Sequence, residues 1–425
     1  MTRKITVVAL VMFLFLAAGK VFCAGSSAFR VELTDTEAMS KGFAFVGEAN
    51  NPSAVFYNPA GLTQLKGGQH LSLGTAELVP LTNYTNHAGA ESQMRRGVYT
   101  IPHFYYVNDF GLKKFVFGVG VASPWGLSTE WAKDSFARYS ATRTDIITDD
   151  TMLTGAYQLT EKISLGAGLD YFRAKMGKQK NVLQTGAADA DFEMRIKDNF
   201  AWGYRLALLY VPNDRHSFGI QYRSPVNLKL RGETYFNGLS GLYAAIFGGS
   251  SYTEEASMEA ELPQAIIAGY SFKPSDKWVI NFDVEWTNWE SVEQEYLIYQ
   301  YETNATRLSV LNNGNPASRD WNNAVTLALG GQYKVNDKLR LRSGFYFKEK
   351  AVPQANFEPS LPDAKSYGIT AGFGYSFTKN VTLDMGYAFQ QYATRKINNN
   401  NVSGTIDGTY RSCASIYGTN LRFDF

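Results

Sequence analysis

Segments in which apolar and polar residues alternate are the feature that most constrains how this chain can fold. Three clear examples are residues 278–286, 339–347 and 381–389, the last with apolar Val381, Leu383, Met385, Tyr387 and Phe389. A period of two residues is typical of a β-strand with one apolar and one polar face. A soluble sandwich would show the same alternation, so the pattern predicts strands without placing their apolar face in lipid.

The lengths of the connections between these segments alternate between short and long. Short turns lie at 108–113, 160–162, 212–215, 273–277, 335–338 and 378–380, and long connections at about 81–97, 124–145, 176–198, 233–255, 290–320, 351–365 and 394–409. Outer-membrane barrels have this arrangement, because short periplasmic turns alternate with long outer loops. We therefore predict an all-β protein in which residues 67–425 form a transmembrane antiparallel β-barrel of about 14 strands.

The end of the chain agrees with this prediction. Leu421, Phe423 and Phe425 alternate with polar residues, and the last residue is phenylalanine. A terminal aromatic residue on an amphipathic strand is typical of outer-membrane barrels, although an ordinary edge strand would look similar.

Composition limits the other classes of protein. Hydrophobic residues make up 45% of the 425 residues, the mean hydropathy is −0.23, and the net charge is +2. No stretch after the N-terminus reaches the roughly 18 apolar residues of a membrane helix, and the charge does not favour a nucleic-acid partner. Only two cysteines occur, Cys23 and Cys413, so no disulfide framework is expected.

The N-terminus has the pattern of an export signal. Arg3 and Lys4 precede an apolar run over residues 5–18. This pattern predicts a signal peptide over residues 1–24, with cleavage near 23–25. A lipoprotein signal at Cys23 is disfavoured, because Phe22 stands where a small residue is expected.

Residues 25–66 lack the strand alternation and contain two Asn-Pro pairs, 51–52 and 58–59, which favour turns. A barrel of about 14 strands is too wide to be filled by its own wall side chains. The segment also contains too many apolar residues to remain in water as a disordered tail. We therefore predict that residues 25–66 form a hatch inside the barrel lumen.

Taken together, these features resemble the FadL-type outer-membrane transporters of long-chain fatty acids and other hydrophobic compounds. The likeness extends over nearly the whole mature chain and rests on several motifs in order. They are Asn58-Pro59-Ala60, the SPWGLSTE segment at 123–130, Tyr222-Arg223-Ser224, Leu262-Pro263, the WTNW segment at 286–289, Val352-Pro353 and Leu361-Pro362-Asp363.

The resemblance implies a route for the ligand and a place in the cell. Ligand would be captured in an apolar groove among the outer loops, pass to a pocket inside the barrel, and leave through a lateral opening in the wall. The protein would lie in the outer membrane of a Gram-negative bacterium, in contact with membrane lipid and lipopolysaccharide, and would act as a monomer. Its partner would be a hydrophobic small molecule.

The outer groove has a candidate in residues 235–249, where apolar residues recur at helical spacing. An exposed amphipathic helix would offer a hydrophobic landing surface; the alternative is that this face packs on neighbouring loops. The candidate residues are Phe236, Leu239, Leu242, Tyr243, Ile246 and Phe247, with Trp125, Leu127 and Trp131 completing the surface.

The lateral opening has a candidate at Ser123, Pro124 and Gly126, after an alternating strand. Proline cannot donate to a strand ladder, and glycine permits close approach or unusual backbone angles. The alternative is that the strand ends here at the membrane rim. Asn58, Pro59 and Ala60 are predicted to position the hatch against the opening, although Asn-Pro also favours a simple turn.

The resemblance assigns a carboxylate-pairing cation to Lys178. The second cation of that family pattern corresponds to Tyr296, which is uncharged, so a neutral hydrocarbon becomes a credible ligand. Arg340 and Arg342 are expected to belong to a polar network in the lumen.

No motif of enzyme chemistry is found, and no cofactor or metal is expected. The four histidines are scattered along the chain. The alternatives to hydrophobic uptake are a general porin for polar solutes, and a role without transport, such as an adhesin, a phage receptor or a surface enzyme.

Overall fold

A computed structural model of the protein describes residues 27–398 and 406–425. The predicted signal peptide and Cys23 lie outside the described residues. The wall strands are β1 (Gln69–Thr85), β2 (Glu91–Gln93), β3 (Tyr99–Asn108), β4 (Phe115–Ala122), β5 (Gly126–Glu130), β6 (Arg143–Gln158), β7 (Ile163–Val182), β8 (Ala190–Asn213), β9 (His216–Arg223), β10 (Val226–Asn237), β11 (Ser251–Leu262), β12 (Ala265–Ser275), β13 (Trp278–Thr287), β15 (Leu297–Tyr299), β17 (Ala324–Lys334), β18 (Leu339–Lys348), β19 (Ser366–Ser376), β20 (Val381–Tyr392), β21 (Arg395–Ile397) and β22 (Gly408–Asp424).

These strands form one closed antiparallel sheet. Strand β22 pairs with β20 on one side and with β1 on the other, from His70↔Asp424 to Thr85↔Thr409. Several wall strands are divided into two segments by kinks, and when each is counted once the barrel has 14 strands. The predicted fold is confirmed. A two-stranded ladder of β14 (Gln294–Glu295) and β16 (Ala317–Ser318) lies in the connection after β13.

The alternation of the sequence matches the two faces of the wall. Trp278, Ile280 and Phe282 are exposed on the outside, whereas Asn281 and Asp283 are buried on the inside. The short turns lie where they were predicted. Within the described residues no helix is long and apolar enough to cross a membrane.

The predicted long connection over 176–198 is mostly wrong. Strand β7 continues to Val182 and β8 begins at Ala190, so only residues 183–189 connect them. In this part of β7 side chains on both faces are partly exposed. Neither face then needs to be apolar, and the alternation that identifies a strand is lost.

Residues 27–66, here called the N-terminal segment, contain helices α1 (Thr36–Ser40) and α2 (Ala54–Tyr57) and a 3₁₀-helix at Pro59–Gln64. Asp35 caps α1 by accepting a hydrogen bond from Ala38 N, and almost the whole segment is buried. It contacts strands around the closed wall, including β1, β4, β6, β7, β8, β18, β19, β20 and β22.

Glycines in the wall let this segment approach the strand backbones. A Cβ atom at Gly166 would lie 2.3 Å from Ala60 N, and one at Gly330 would lie 2.0 Å from Lys41 O. Both distances are far inside van der Waals contact, so any side chain at these positions would push the segment away from the wall.

Candidate ligand-binding site

A large cavity lies among the outer parts of the strands and loops. Its volume is about 530 Å³, and we call it the outer cavity. Helix α4 (Ala305–Leu311), the ends of β7 and β8, and Tyr243 of helix α3 (Gly241–Phe247) contribute to its lining. Its lining combines apolar side chains with the positive charges of Lys178 and Lys180.

The predicted helix over 235–249 is shorter than expected. Only Gly241–Phe247 is helical, because residues up to Asn237 belong to β10. Of the predicted groove residues, Phe236 and Tyr243 line the outer cavity. Leu242 is 73% exposed, whereas Phe236, Leu239 and Phe247 are buried. Ile246 packs partly buried against the same apolar core. Phe247 is the buried residue of the helix, whereas Phe236 and Leu239, which precede the helix, pack in the apolar core.

A second cavity, with a volume of about 60 Å³, lies next to the outer cavity and is called the inner cavity. Lys178, Met194, Glu295 and Arg319 line both cavities. Leu127 lines the inner cavity from β5. The shared lining shows that the two cavities adjoin each other.

The charges of the inner cavity are already balanced by one another. Lys178 Nζ lies 3.5 Å from Glu358 Oε2, and Arg319 lies 2.6 Å from Glu295 and 3.2 Å from Glu358. Burial opposes ionisation of Glu358, but Arg319 and then Lys178 outweigh it and hold the pKa of Glu358 below its usual range. Lys178 thus lies in a cavity, as the resemblance implied, but it already has a carboxylate partner. Tyr296, which occupies the second cation position of the family pattern, is 45% exposed.

An aromatic cluster made of Phe29, Trp125, Trp289 and Trp321 closes the bottom of the inner cavity. Phe29 is at the centre, with ring centroids 5.9 Å from Trp125, 5.0 Å from Trp289 and 5.9 Å from Trp321. Phe29 and Trp321 line the inner cavity. The cluster therefore lies between this cavity and a smaller one that is lined by Trp125.

Trp125, Leu127 and Trp131 do not form the outer surface that was predicted for them. All three are buried, at 5%, 2% and 3% exposure. Trp131 belongs to a separate cluster, where it packs on Phe136 and donates a hydrogen bond to Pro359 O. Trp125 and Leu127 instead pack in the apolar core that contains Phe29.

The wall strand that contains Pro124 is kinked at Ser123, Pro124 and Trp125. Its lower part, β4, pairs with β3 only from Phe104↔Val121 to Asn108↔Phe117, and its upper part, β5, pairs with β6. Residues 100–103 of β3 have no ladder partner on this side within the described chain. A break in the ladder therefore lies at the predicted position.

Backbone groups of the N-terminal segment form hydrogen bonds with backbone groups at the kink. Val31 N donates to Pro124 O at 2.8 Å, and Gly126 N donates to Phe29 O at 2.9 Å. Arg30 and Trp125 therefore face each other as an isolated antiparallel bridge. Ser123 is also buried. The contact with the kink is made by residues 29–31, which the sequence did not single out.

Two details of the prediction need correction. A Cβ atom at Gly126 would lie 3.5 Å from Ile146 O, an ordinary contact, so neither close approach nor unusual backbone geometry requires glycine there. Asn58, Pro59 and Ala60 lie against β7, β8 and β9 rather than at the kink. Asn58 caps the 3₁₀-helix and donates to Val46 O and Leu208 O.

Arg319 and Phe29 are the residues of this site that the sequence did not reveal. Arg319 lies in a long connection without periodicity, and Phe29 lies before the first recognisable motif. The only signal was general: an aromatic residue and an arginine in segments expected inside or above the lumen.

A closed 14-stranded antiparallel barrel with apolar side chains outside has the architecture of an outer-membrane β-barrel protein. The chain belongs to the family of outer membrane transport proteins described as OMPP1/FadL/TodX, whose sequence profile matches residues 18–425. It is accordingly a protein of the Gram-negative outer membrane.

Relatives match over almost their full length. A putative outer membrane protein of Neisseria meningitidis serogroup B is 26% identical, with 96% of this chain and 98% of that protein covered. The long-chain fatty acid transport protein of Escherichia coli K12 is 24% identical, with 95% and 99% covered. The second of these is a transport protein by name, not an enzyme.

Solved structures share the fold. A Pseudomonas aeruginosa FadL homologue superimposes with a TM-score of 0.80 at 19% identity, covering 94% of this chain and 100% of the other. The Pseudomonas putida toluene transporter TodX gives a TM-score of 0.70 at 18% identity, covering 94% and 99%.

Proposed function

We propose that this protein takes up long-chain fatty acids or other hydrophobic compounds across the outer membrane. Ligand enters the outer cavity, moves to the inner cavity, passes the aromatic cluster and leaves sideways at the kink. The names of the relatives support this substrate class, since one is a fatty acid transport protein and a structural neighbour is a toluene transporter. Lateral exit suits a ligand that prefers the bilayer to water.

The main support for lateral exit at the kink is the pairing of residues 29–31 with it. Two backbone hydrogen bonds, the aromatic cluster and the Arg30–Glu285 ion pair hold the N-terminal segment over the break in the wall. Residues 25–66 then act as a hatch, and movement of its first residues would connect the inner cavity to the opening. Ser123, Pro124 and Gly126 form the frame of that opening, and Asn58, Pro59 and Ala60 fix the far side of the hatch.

A neutral aromatic hydrocarbon is the second candidate ligand. The inner cavity contains two cations, Lys178 and Arg319, and two anions, Glu295 and Glu358, which form ion pairs. This balance leaves no unmatched charge there that would require a ligand carboxylate. We also propose that the barrel acts as a monomer surrounded by lipid and lipopolysaccharide.

A cross-link between residues 30 and 125 tests the gate directly. Because the two hydrogen bonds flank this pair, it is a non-hydrogen-bonded antiparallel pair, for which a Cα separation of about 4.5 Å is usual. That spacing suits a disulfide. The variant is Arg30→Cys/Trp125→Cys in a Cys413→Ser background, and the single Arg30→Cys variant is the control.

Uptake of labelled oleate and toluene into liposomes is measured before and after reduction. We expect oxidation to reduce uptake of both compounds at least about tenfold in the double variant, with recovery on reduction and no redox effect in the single variant. Unchanged uptake with a complete cross-link would show that ligand leaves elsewhere. Passage of small sugars without either hydrophobic compound would favour the general porin.

A further inference from the structure

A small cavity lies below the aromatic cluster, where three wall strands are interrupted by proline-containing breaks. Its lining includes Pro124 and Trp125 at the kink, Ser224 between β9 and β10, and Pro263 between β11 and β12. Its volume is about 20 Å³, enough for one water molecule or one oxygen atom of an anion. We call it the basic cavity, because three arginines line it.

Two of these arginines are neutralised by carboxylates. Arg205 lies 2.8 Å from Asp170 and 3.0 Å from Asp150. Arg30, which approaches from the N-terminal segment, lies 2.5 Å from Glu285. Both guanidinium groups therefore have the partners that a buried charge requires.

Arg223 is different. Within the described residues no carboxylate oxygen lies within 4.0 Å of its guanidinium, and Glu285, which is in electrostatic range, is engaged by Arg30. Nη2 donates to Phe56 O at 3.2 Å and Nε to Gln221 Oε1 at 3.0 Å, while Nη1 is buried without a hydrogen-bond partner. The guanidinium lies over the Phe56 ring, 4.1 Å from its centroid.

A buried N–H group of a cation without an acceptor is costly, and a carboxylate is the acceptor that would satisfy it best. The cavity also supplies an apolar lining for the first carbons of a ligand, through Phe172, Val226 and Leu262. A hydrocarbon ligand has no acceptor for Nη1, and the carbonyl oxygen of a neutral ester would accept a weaker hydrogen bond than a carboxylate. The site therefore distinguishes ligands by charge rather than by shape.

We propose that Arg223 binds the carboxylate of the ligand in the basic cavity, immediately before the ligand leaves at Pro124. Lys178, to which the sequence resemblance assigned this role, is already paired with Glu358 in the inner cavity. Selection for a carboxylate then takes place at the exit. This inference rests on the proposed uptake function and adds the residue that selects among its ligands.

The test compares oleate with methyl oleate, which has the same alkyl chain but no charge. Uptake into liposomes and equilibrium binding to the purified barrel are measured for wild type, Arg223→Gln and Arg223→Lys. The control variant is Arg340→Gln, because Arg340 lies on β18, outside the basic cavity, and its side chain donates to Ser376 Oγ. Migration of unheated samples on gels verifies that each barrel is folded.

We expect Arg223→Gln to lower oleate uptake and affinity at least about tenfold, the scale of one charge-assisted hydrogen bond. Methyl oleate should change by less than about twofold, and Arg223→Lys should be intermediate for oleate, because lysine keeps the charge but lacks the planar fork. Arg340→Gln should change neither ligand.

Equal losses for both ligands in the Arg223 variants would assign Arg223 a structural role through Phe56 and overturn the inference. No loss for either ligand would overturn it as well, while leaving uptake itself intact. If wild-type protein carried neither ligand, the proposed uptake function would fail and this inference with it. If Arg223→Gln did not fold, the ratio of oleate uptake to methyl oleate uptake in Arg223→Lys would decide. The same ratio as in wild type would contradict carboxylate binding by Arg223.

Discussion

The N-terminal segment is held to the wall in two different ways at two places. At α1, Glu37 lies 2.7 Å from Arg422, 3.1 Å from Lys41 and 3.2 Å from Arg342. Arg342 and Arg422 also pair with Asp384 at 2.6 and 2.9 Å. We call this buried group of charges the anchor.

At residues 29–31 the segment makes two backbone hydrogen bonds and ring contacts with the kink, and Arg30 forms a buried ion pair with Glu285 of β13. A backbone hydrogen bond contributes about 1 kcal/mol net, whereas breaking a buried ion pair costs about 3–5 kcal/mol. Several buried ion pairs form the anchor, whereas Arg30–Glu285 is the one that the described residues 29–31 make with the wall, so the segment is held more firmly at α1 than at the kink. The predictions below test that contrast.

The largest effect is expected for Glu37→Gln. The variant removes the carboxylate that lies between three cations and leaves buried positive charge uncompensated. We expect the free energy of unfolding to fall by about 3–5 kcal/mol. Urea unfolding followed by tryptophan fluorescence measures the change.

Asp337→Asn is the matched control, because Asp337 pairs with Lys334 on an exposed turn. It should change stability by less than about 1 kcal/mol. Equal stabilities for the two variants would mean that α1 is not anchored by charge, and the contrast between the two places would be lost.

Asp35, beside the anchor, should make stability depend on pH. Burial, and then the charge of Glu37, raise its pKa from 3.8 to about 6. Because the folded pKa is the higher one, the folded protein binds this proton more tightly than the unfolded chain. The stabilisation of the folded protein by this proton is fully present below about pH 4 and is lost as the pH rises through about 6.

Asp35→Asn keeps an oxygen for the hydrogen bond from Ala38 N but cannot ionise. With about 1.4 kcal/mol per pKa unit, we expect the variant to be more stable than wild type by up to roughly 3 kcal/mol at pH 8. At pH 4 the two proteins should unfold at nearly the same urea concentration. A difference that does not change with pH would contradict this account.

A pair of glycine variants gives the smallest expected effect. Gly330→Ala places a methyl group 2.0 Å from Lys41 O, next to the anchor, whereas Gly126→Ala at the kink meets only ordinary contacts. We expect a loss of about 1–3 kcal/mol for Gly330→Ala and almost none for Gly126→Ala. If Gly126→Ala destabilised the barrel more, the kink would be the more tightly packed of the two places.

The sequence predicted the barrel well, because each wall strand carries its own evidence in the alternation of its residues. It failed for the outer end of β7, where side chains on both faces are partly exposed and nothing enforces alternation. It also placed Arg342 in a lumen network correctly, because an arginine on the polar face of a wall strand must point inward.

The candidate site was less predictable. Pro124 was recognised because proline cannot pair in a ladder, but its partners Phe29 and Val31 are about a hundred residues away in the chain. The predicted helix over 235–249 was wrong in extent, since apolar spacing does not distinguish a helix from the end of a strand. Whether Lys178 is paired depended on Glu358, in a distant loop.

By itself the sequence determined the barrel, its turns and the site of its break, because strand alternation and the chemistry of proline act over a few residues. The tertiary structure alone decided which charges find partners. Arg205 and Arg223 both point into the basic cavity, yet only Arg205 has two aspartates beside it, from β6 and β7. Coulomb interactions depend on distances in space, and closing the sheet sets those distances.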